Sequence, residues 1–389
     1  MKTFVIGVPR ERKMKEGRVG MTPEGVHQIR SEYPSVSVLI EKDAGVLSGF
    51  SDLAYLHAGA VIMSDTEDIY RESDLIVKVK EPIPEEYKFL RHLHHKTLFT
   101  YLHLAGVDPE LTRELVRNEV TAIAYESVEQ WVNGRRALPL LVPMSTIAGT
   151  QGMRQGILHA RNHGCSVPRV IIIGGGVVGE AALKEATQQR VASVSLFEMR
   201  KERVQELRTR YRKLNGSSMT TILFMTMNTM NTARGKGIFS LADVVVSAVL
   251  NPGDSAPKVL TAQHFAQIKQ GCYVVDVAID QGGSTEWSRQ TKPGETYEQG
   301  GLTFSCVANI PGSTVPRDAT IALSTATLPY IQLFAQHAMT SPSPSEWWLL
   351  KDHFGLRQGL QTWRGCVVNS FVAIKHKMES VYKPLDSFF

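Results

Sequence analysis

A glycine-rich turn between an apolar run and a helical pattern is the feature that most restricts how this chain can fold. Gly174, Gly176 and Gly179 form G-x-G-x-x-G directly after Val170–Ile173, and Glu198 closes a second apolar run. This order of strand, turn, helix, strand and acid predicts a parallel βαβ unit. The glycines allow a tight turn, a close approach of pyrophosphate and tight helix packing, while the acid suits a ribose diol. We therefore expect a bound dinucleotide; the alternative is a glycine turn that binds nothing.

Length and composition indicate a globular protein of two or three domains. The chain has 389 residues, 43% of them apolar and 21% charged, with a net charge of +5 spread along the sequence. That length exceeds what one hydrophobic core usually supports. No run of like charges indicates a nucleic-acid or membrane partner, and no apolar stretch approaches the roughly 20 residues of a membrane span. Four scattered cysteines without a C-x-x-C pair fit a reducing compartment, so we expect a cytoplasmic protein.

Short apolar runs alternate with amphipathic segments both before and after the glycine turn. This alternation predicts an α/β protein with two Rossmann-like domains, each a parallel sheet flanked by helices, and a cleft between them. We expect the first domain to comprise residues 1–137 plus about 316–389, and the dinucleotide-binding domain to comprise 138–315. The first sheet is expected to be complete before the glycine turn. Leu360–Met378 shows a helical pattern in the returning tail.

Four side chains near the ends of predicted strands or in loops suit amino-acid chemistry. Arg18 can hold a carboxylate with its planar fork, and Lys80 supplies a compact charge. His103 carries an imidazole, whose ordinary pKa of about 6.5 suits proton transfer. Asp280 ends another predicted strand and opens a glycine-rich loop. The alternatives are a surface arginine, a core histidine and a turn-capping aspartate.

Four segments of the chain together resemble the alanine dehydrogenase family. They are Gly17-Arg18-Val19-Gly20 with Thr22-Pro23, Lys78-Val79-Lys80-Glu81-Pro82, Tyr101-Leu102-His103-Leu104-Ala105, and Ala278-Ile279-Asp280-Gln281-Gly282-Gly283. The resemblance runs in order to about Tyr330. It implies NAD-dependent, reversible conversion of L-alanine to pyruvate and ammonium. His103 and Asp280 would be catalytic, while Arg18 and Lys80 would bind the substrate.

The same resemblance implies further ligand contacts. Met144 and Asn309 match positions close to the substrate. Positions that line the dinucleotide match Ser145, Gly174, Gly176, Val177, Val178, Gly179, Glu198, Arg203, Val249, Leu250, Val277, Ala278, Ile279, Asp280, Arg289, Val307, Ala308, Asn309 and Ile310. Some members hold magnesium at positions that match Glu126 and His337. The resemblance also implies a homo-oligomer, commonly a hexamer.

The sequence departs from the family pattern in places that leave alternatives open. Glu198 stands where members usually have Asp; this still favours NAD, although Arg200 and Arg203 leave some use of NADP open. The connection before Arg169 is short, and Ser324–Thr327 replaces the usual Asn-Ala-Thr. These differences allow another amino acid or an opine-type substrate. A non-catalytic module, as in transhydrogenase, is disfavoured because it typically lacks the lysine and histidine present in the family segments.

Overall fold

The structure is a computed structural model that describes residues 3–132, 134–212, 220–249, 256–340 and 353–388. The chain divides into two compact units. Unit 1 comprises residues 1–143 and 315–389, and unit 2 comprises residues 144–314. Among the helices in the described ranges, none has both the length and the apolar character needed to cross a membrane.

The first segment of unit 1 alternates strands with helices. Its elements are β1 (Val5–Val8), α1 (Pro23–Glu32), β2 (Ser37–Glu41), α2 (Asp52–His57), β3 (Val61–Met63), α3 (Thr66–Glu72), β4 (Leu75–Val77), β5 (Thr97–Thr100), α4 (Pro109–Arg117), β6 (Thr121–Ala124), β7 (Gln130–Val132) and β8 (Arg135–Ala137). Polar caps and prolines set where the helices begin. The side chain of Thr22 accepts a hydrogen bond from the backbone of Gly25, and Pro23 occupies the first turn of α1.

Unit 2 repeats the alternation with longer strands. Its elements are α5 (Val142–Asn162), which begins at the boundary, β9 (Arg169–Ile173), α6 (Val177–Gln188), β10 (Ser193–Glu198), α7 (Lys201–Arg210), β11 (Thr221–Thr226), α8 (Ala233–Phe239), β12 (Val244–Ser247), α9 (Ala262–Phe265), β13 (Tyr273–Asp276), β14 (Tyr297–Gln299), β15 (Leu302–Ser305) and α10 (Ile310–Thr314). The chain then returns to unit 1 through α11 (Pro316–Thr340), α12 (Phe354–Gln358), β16 (Leu360–Trp363), β17 (Cys366–Val367) and α13 (Ser370–His376).

The main sheet of each unit follows a doubly wound order. In unit 1 the order is β17-β16-β6-β5-β4-β1-β2-β3, and in unit 2 it is β11-β10-β9-β12-β13-β15-β14. All pairs are parallel except those made by β14, β16 and β17. The strand order reverses between β1 and β4, and again between β9 and β12. Ligands of open α/β sheets bind at the carboxyl ends of strands beside such a reversal. The predicted class, α/β with two Rossmann-like units, is confirmed.

Two expectations about unit 1 are wrong. Its sheet is not complete before the glycine turn, because β16 pairs antiparallel with β6. Leu360–Met378 is not one helix but two short strands followed by α13. Arg364 and Gly365 join the strands and have φ values of 48° and 70°, as in a two-residue hairpin turn. The apolar spacing alone could not distinguish this hairpin from a helical turn.

The central strand of unit 2 is buried on both sides. Ile172 packs into the core on one face of the sheet, whereas Ile171 and Ile173 pack into the core on the other. All three side chains are at most 1% exposed. Helices must therefore cover both faces, which is why a continuous apolar run here specifies a parallel strand. The glycine turn at the end of β9 starts from a rigid position.

Candidate active site

Of the three motif glycines in the turn of unit 2, two are fixed by packing and one faces open space. A Cβ at Gly174, where φ is +99°, would lie 2.6 Å from the carbonyl oxygen of Ala248. A Cβ at Gly179 would lie 1.9 Å from the carbonyl oxygen of Gly174. By contrast, a Cβ at Gly176 would meet no heavy atom within 4 Å. This space at the N-terminus of α6 is where a pyrophosphate could approach the backbone, so the turn fits a dinucleotide.

Glu198 lies at the carboxyl end of β10, beside the glycine turn. Its carboxylate accepts hydrogen bonds from the backbone N–H groups of Gly175, at 2.8 Å, and Arg200, at 3.0 Å. Burial opposes ionisation, but these two donors and the Arg200 side chain hold the pKa of Glu198 below its ordinary value. A carboxylate has about four acceptor positions, and three are used by these donors, so one remains for a ribose hydroxyl.

The two arginines near Glu198 are already paired with acids. Arg203 donates to the carbonyl oxygen of Gly175 at 2.8 Å and to Glu180 at 2.6 Å. Arg200 donates to Glu198 at 3.1 Å. A 2′-phosphate would have to compete with these carboxylates and would lie close to Glu198 itself. The arrangement therefore favours NAD over NADP.

Helix α5 lies against the glycine turn within unit 2. A Cβ at Gly149 would lie 2.1 Å from the carbonyl oxygen of Val178, so the two backbones are in direct contact. Met144 and Ser145 stand in the first turn of α5. Further along, Ala148 packs against Val307, Val277 and Ile310, and so joins α5 to two of the predicted cofactor-lining stretches.

Asp280 and Asn309 are in contact. Asp280 is exposed in a single helical turn after β13, and its Oδ2 accepts a hydrogen bond of 2.9 Å from the backbone N–H of Asn309. Asn309 has a left-handed backbone with φ of 52°, a conformation that asparagine tolerates well. The Asp280 carboxylate therefore sits at the carboxyl end of the sheet, on the same edge as the glycine turn.

Other predicted cofactor-lining residues follow the strands at this edge or begin the helices there, with two exceptions. Leu250 lies outside the described residues. Arg289 stacks on the ring of Tyr297, 4.3 Å from its centroid, and donates to Gln299 of β14. Its contacts are thus with the edge strand rather than with the glycine turn.

Asp276 is a supporting residue that the sequence reasoning missed. It is fully buried at the end of β13 and accepts hydrogen bonds from the backbone N–H groups of Ala278, Ser284 and Thr285, at 3.0, 2.6 and 3.2 Å. The loop that carries Asp280 is therefore folded around this carboxylate. An acid at the end of a buried apolar run, six residues before Gly282-Gly283-Ser284-Thr285, was the available signal.

In unit 1, Arg18 lies in the loop after β1, beside the point where the strand order reverses. The guanidinium is 3% exposed and binds Glu16 in a bidentate pair, with Nε–Oε1 and Nη2–Oε2 distances of 2.6 and 2.5 Å. Helix α11 fixes the loop, since the backbone N–H groups of Val19 and Thr22 donate to the hydroxyls of Thr320 and Ser324. The surface-arginine alternative is therefore wrong.

Two lysines after β4 have different environments. Lys78 is fully buried, and its Nζ lies 2.8 Å from Glu86 and 3.5 Å from Glu11. Glu11 also accepts a hydrogen bond of 2.7 Å from the backbone N–H of Val79, and burial raises the pKa of Glu11 to about 7 although Lys78 opposes the shift. Lys80 is only partly buried. Its pKa is lowered, mainly by burial and secondly by the positive charge of Arg18. Lys78 is structural, whereas Lys80 remains available beside Arg18.

His103 follows β5 and is held by its neighbours rather than by a core. Its backbone is left-handed with φ of 44°, and its N–H donates to Glu126 at 2.5 Å. The imidazole, 44% exposed, stacks on Tyr101 with ring centroids 5.7 Å apart, and its Nδ1 lies 3.5 Å from Glu126. The core-histidine alternative is therefore wrong. Burial raises the pKa of Tyr101 and the nearby Arg18 guanidinium opposes that rise, so these groups form one cluster at the carboxyl ends of β1, β4 and β5.

The Glu16–Arg18 pair predicts acid-sensitive stability. Burial opposes ionisation of Glu16, but the Arg18 guanidinium lowers its pKa to about 2. A folded-state pKa below the unfolded value stabilises the protein above about pH 4.5, and this contribution is lost as the pH falls toward 2. We expect Glu16→Gln to lower the free energy of unfolding at pH 7 by roughly 3 kcal/mol and to flatten its pH dependence below pH 4.5.

Urea unfolding of the wild type and the Glu16→Gln variant across that pH range measures the effect. Glu24→Gln is the matched control, because Glu24 is exposed in the first turn of α1 and contacts only Gln28 among its described hydrogen bonds. Equal pH dependence in wild type and Glu16→Gln would contradict the prediction.

The structure gives the Glu126–His337 pair little support as a magnesium site. The Glu126 carboxylate already accepts from the backbone of Leu102 and His103. Within the described part of the chain, the only cluster of three possible ligands lies elsewhere, at His94, His95 and Glu119. Magnesium prefers oxygen ligands in an octahedral arrangement, which one carboxylate and one imidazole do not provide. No step of the chemistry is assigned to this metal.

Two doubly wound units, one with a glycine turn and a strand-end acid, define the class of Rossmann-type nucleotide-binding α/β proteins. The models of two domains that belong to one protein family match this chain. "Alanine dehydrogenase/PNT, N-terminal domain" matches residues 7–148, and "Alanine dehydrogenase/PNT, C-terminal domain" matches residues 144–370. The chain belongs to the alanine dehydrogenase/PNT family.

Individual relatives agree over nearly the whole length. The chain is 39% identical to alanine dehydrogenase of Bacillus subtilis (strain 168), over 95% of this chain and 94% of the relative. It is 38% identical to alanine dehydrogenase of Staphylococcus haemolyticus, over 95% of each. A solved L-alanine dehydrogenase superposes with a TM-score of 0.81 at 34% identity, covering 96% of this chain and 99% of that one. A transhydrogenase from Sinorhizobium meliloti shares the fold, with a TM-score of 0.75 at 20% identity, over 94% of this chain and 100% of that one.

Proposed function

We propose that this protein is an NAD-dependent oxidoreductase that converts L-alanine and water to pyruvate and ammonium, and catalyses the reverse reaction. The observation that carries this function is the cluster of Arg18, Lys80 and His103 in unit 1, within a chain whose unit 2 has a glycine turn fitted to a dinucleotide. Family membership and near-full-length similarity to alanine dehydrogenases support it.

The unit 1 cluster suits a small amino acid held by its carboxylate. Arg18 is oriented by Glu16, and its guanidinium is the proposed partner of the substrate carboxylate. Lys80 stands beside it and can also bind the oxygen of the 2-oxo acid. Together they hold the α-carbon in one orientation, which is the main contribution of binding groups to rate. Met144 and Asn309 are proposed to complete the substrate contacts.

Proton transfer is assigned to His103. The imidazole is accessible and is oriented by Tyr101 and Glu126. It can therefore take a proton from the amino group of the substrate and return one in the reverse reaction. Asp280 is exposed at the equivalent edge of unit 2, and we assign it the orientation of water or ammonia and stabilisation of the cationic imine of the substrate.

The cofactor is NAD, held in unit 2 by the stretches predicted from the family. The glycine turn is proposed to contact the pyrophosphate, and Glu198 the adenosine ribose. When bound, NAD would supply the acceptor for the hydride that leaves the α-carbon of alanine. Residues 138–315 are thus the proposed NAD-binding domain, and the remainder of the chain is the substrate domain.

Initial rates test the proposed function. We expect NADH formation with L-alanine, and NADH oxidation with pyruvate plus ammonium, to exceed the rates with serine, lysine or arginine and their oxo acids. We expect NAD to be preferred to NADP. A higher specificity constant for another amino acid would identify a related dehydrogenase instead. Tight NADH binding without turnover of any amino acid would favour the transhydrogenase-like alternative, whose fold this chain shares.

We also propose a cytoplasmic homo-oligomer, with a hexamer as the form to test. All four cysteines are free thiols, which suits a reducing compartment. Trp131 and Val132 on the β7–β8 hairpin are 61% and 47% exposed, and apolar groups of this size are often covered by another subunit. Light scattering of the purified protein gives the subunit number directly.

A further inference from the structure

A second cluster of titratable side chains lies in unit 1, away from the proposed active site. His94, His95 and Glu119 bring three potential ligand atoms within 4.8 Å of one another. The two imidazole centroids are 3.8 Å apart, and His95 Nδ1 lies 3.6 Å from Glu119 Oε2. We propose that His94, His95 and Glu119 form a binding site for a first-row divalent transition metal, represented by Zn²⁺.

The donor set decides which metal fits. Two imidazole nitrogens with one carboxylate oxygen suit zinc and its transition-metal neighbours, whereas magnesium and calcium prefer oxygen ligands only. Zinc bonds to these atoms are about 2.0–2.2 Å long, so its ligands lie about 3.3 Å apart in a tetrahedron. The three side chains are partly or largely exposed and can close the remaining distance by small rotations. Three protein ligands leave a fourth position for water.

The backbone around the cluster is organised in an uncommon way. His95 and Glu119 have left-handed φ values of 55° and 49°. Glu119 directly follows Asn118, the C-cap of α4, a position where glycine is favoured and another residue costs about 1 kcal/mol. The backbone N–H of Thr121 donates to the carbonyl oxygen of Lys96 at 3.0 Å, which ties the two turns together. The ligands therefore project from turns that are already fixed relative to each other.

The position of the cluster indicates what a bound metal does. His94 and His95 precede β5, and Glu119 precedes β6, so the site lies at the amino ends of these strands. His103 and Glu126 follow the carboxyl ends of the same two strands. A metal at this site joins the two strand starts without touching the reacting groups. Its role is to stabilise unit 1 rather than to take part in the reaction.

Metal titration of tag-free, chelator-treated protein tests the site. We expect Zn²⁺ to bind one-to-one by calorimetry, to raise Tm, and to slow hydrogen exchange in residues 94–100 and 118–124. Mg²⁺ is expected to produce none of these three effects. Glu119→Gly and His95→Asn should weaken zinc binding by more than about tenfold. Because glycine relieves the left-handed backbone, Glu119→Gly should keep or raise the metal-free Tm, which separates a lost ligand from a damaged fold.

His27→Ala is the matched control, since His27 is an exposed histidine on α1 and its loss should leave zinc binding unchanged. Three results would overturn the proposal: no binding by the wild type in saturating zinc, equal affinity in wild type and Glu119→Gly, or hydrogen-exchange protection confined to other segments. The outcome does not depend on alanine turnover, so the site and the proposed enzymatic function fail or stand separately.

Discussion

Replacing His103 with alanine is expected to lower kcat for pyruvate amination by about 10³-fold, because a positioned general acid–base group contributes roughly 10²–10⁴. The dissociation constant for NADH should not change, since the groups proposed to hold the dinucleotide belong to unit 2. Tm should also change little. The imidazole is 44% exposed, and the hydrogen bond to Glu126 comes from the backbone of residue 103, which the substitution retains. NADH absorbance measures kcat, fluorescence titration measures the dissociation constant for NADH, and thermal unfolding measures Tm.

A second substitution guards against a backbone effect. Residue 103 is left-handed, and asparagine adopts that conformation more readily than alanine. His103→Asn should therefore be at least as stable as His103→Ala, yet equally slow. Turnover within a few-fold of the wild type in either variant would remove His103 from the catalytic role.

The two lysines after β4 are expected to give opposite phenotypes. Lys80→Met should reduce kcat/KM for pyruvate by about 10³-fold or more, because it removes a cation that fixes the substrate carboxylate or carbonyl. Its Tm should be unchanged or higher, since the positive charge of Arg18 no longer faces a second cation. Lys78→Met should instead lower the free energy of unfolding by about 3–5 kcal/mol, because Glu11 and Glu86 would lose the cation they share.

Thermal unfolding and steady-state kinetics of both variants decide between the roles. The pair is well matched, because the same substitution is made at two positions on one short stretch. A folded, active Lys78→Met variant together with an unfolded Lys80→Met variant would reverse the assignment. Loss of stability in both would show that the whole stretch is structural.

Local sequence patterns were sufficient for the parallel βαβ unit around the glycine turn. Gly179 is required by a contact with Gly174, five residues earlier, and Gly174 by a contact with Ala248 after the neighbouring strand. The spacing of these glycines therefore predicts the turn. The strands β9 and β10 are likewise specified by their own apolar runs. The order of elements around the turn, and hence the fold class, could therefore be predicted.

Contacts between distant segments could not be predicted from patterns. Nothing in the order Lys78-Val79-Lys80 says which lysine is buried; that depends on Glu11, 67 residues earlier, and on where β4 ends. The bidentate partner of Arg18 is Glu16. Several basic residues and two acids lie within residues 10–18, so the sequence does not show which of them pair. The pairing of β16 with β6 joins residues more than 200 positions apart, and a periodicity argument has no access to it.

The hydrogen bonds from Val19 and Thr22 to helix α11 span 301 and 302 residues of sequence. At synthesis rates of about 5–20 residues per second, the loop that carries Arg18 waits roughly 15–60 seconds for its partners to leave the ribosome. Unit 2, one continuous stretch of chain, has all of its own residues available before then. During biosynthesis the nucleotide-binding half can therefore mature first, and the unfinished sheet of unit 1 is the part of the nascent chain that most needs protection by chaperones.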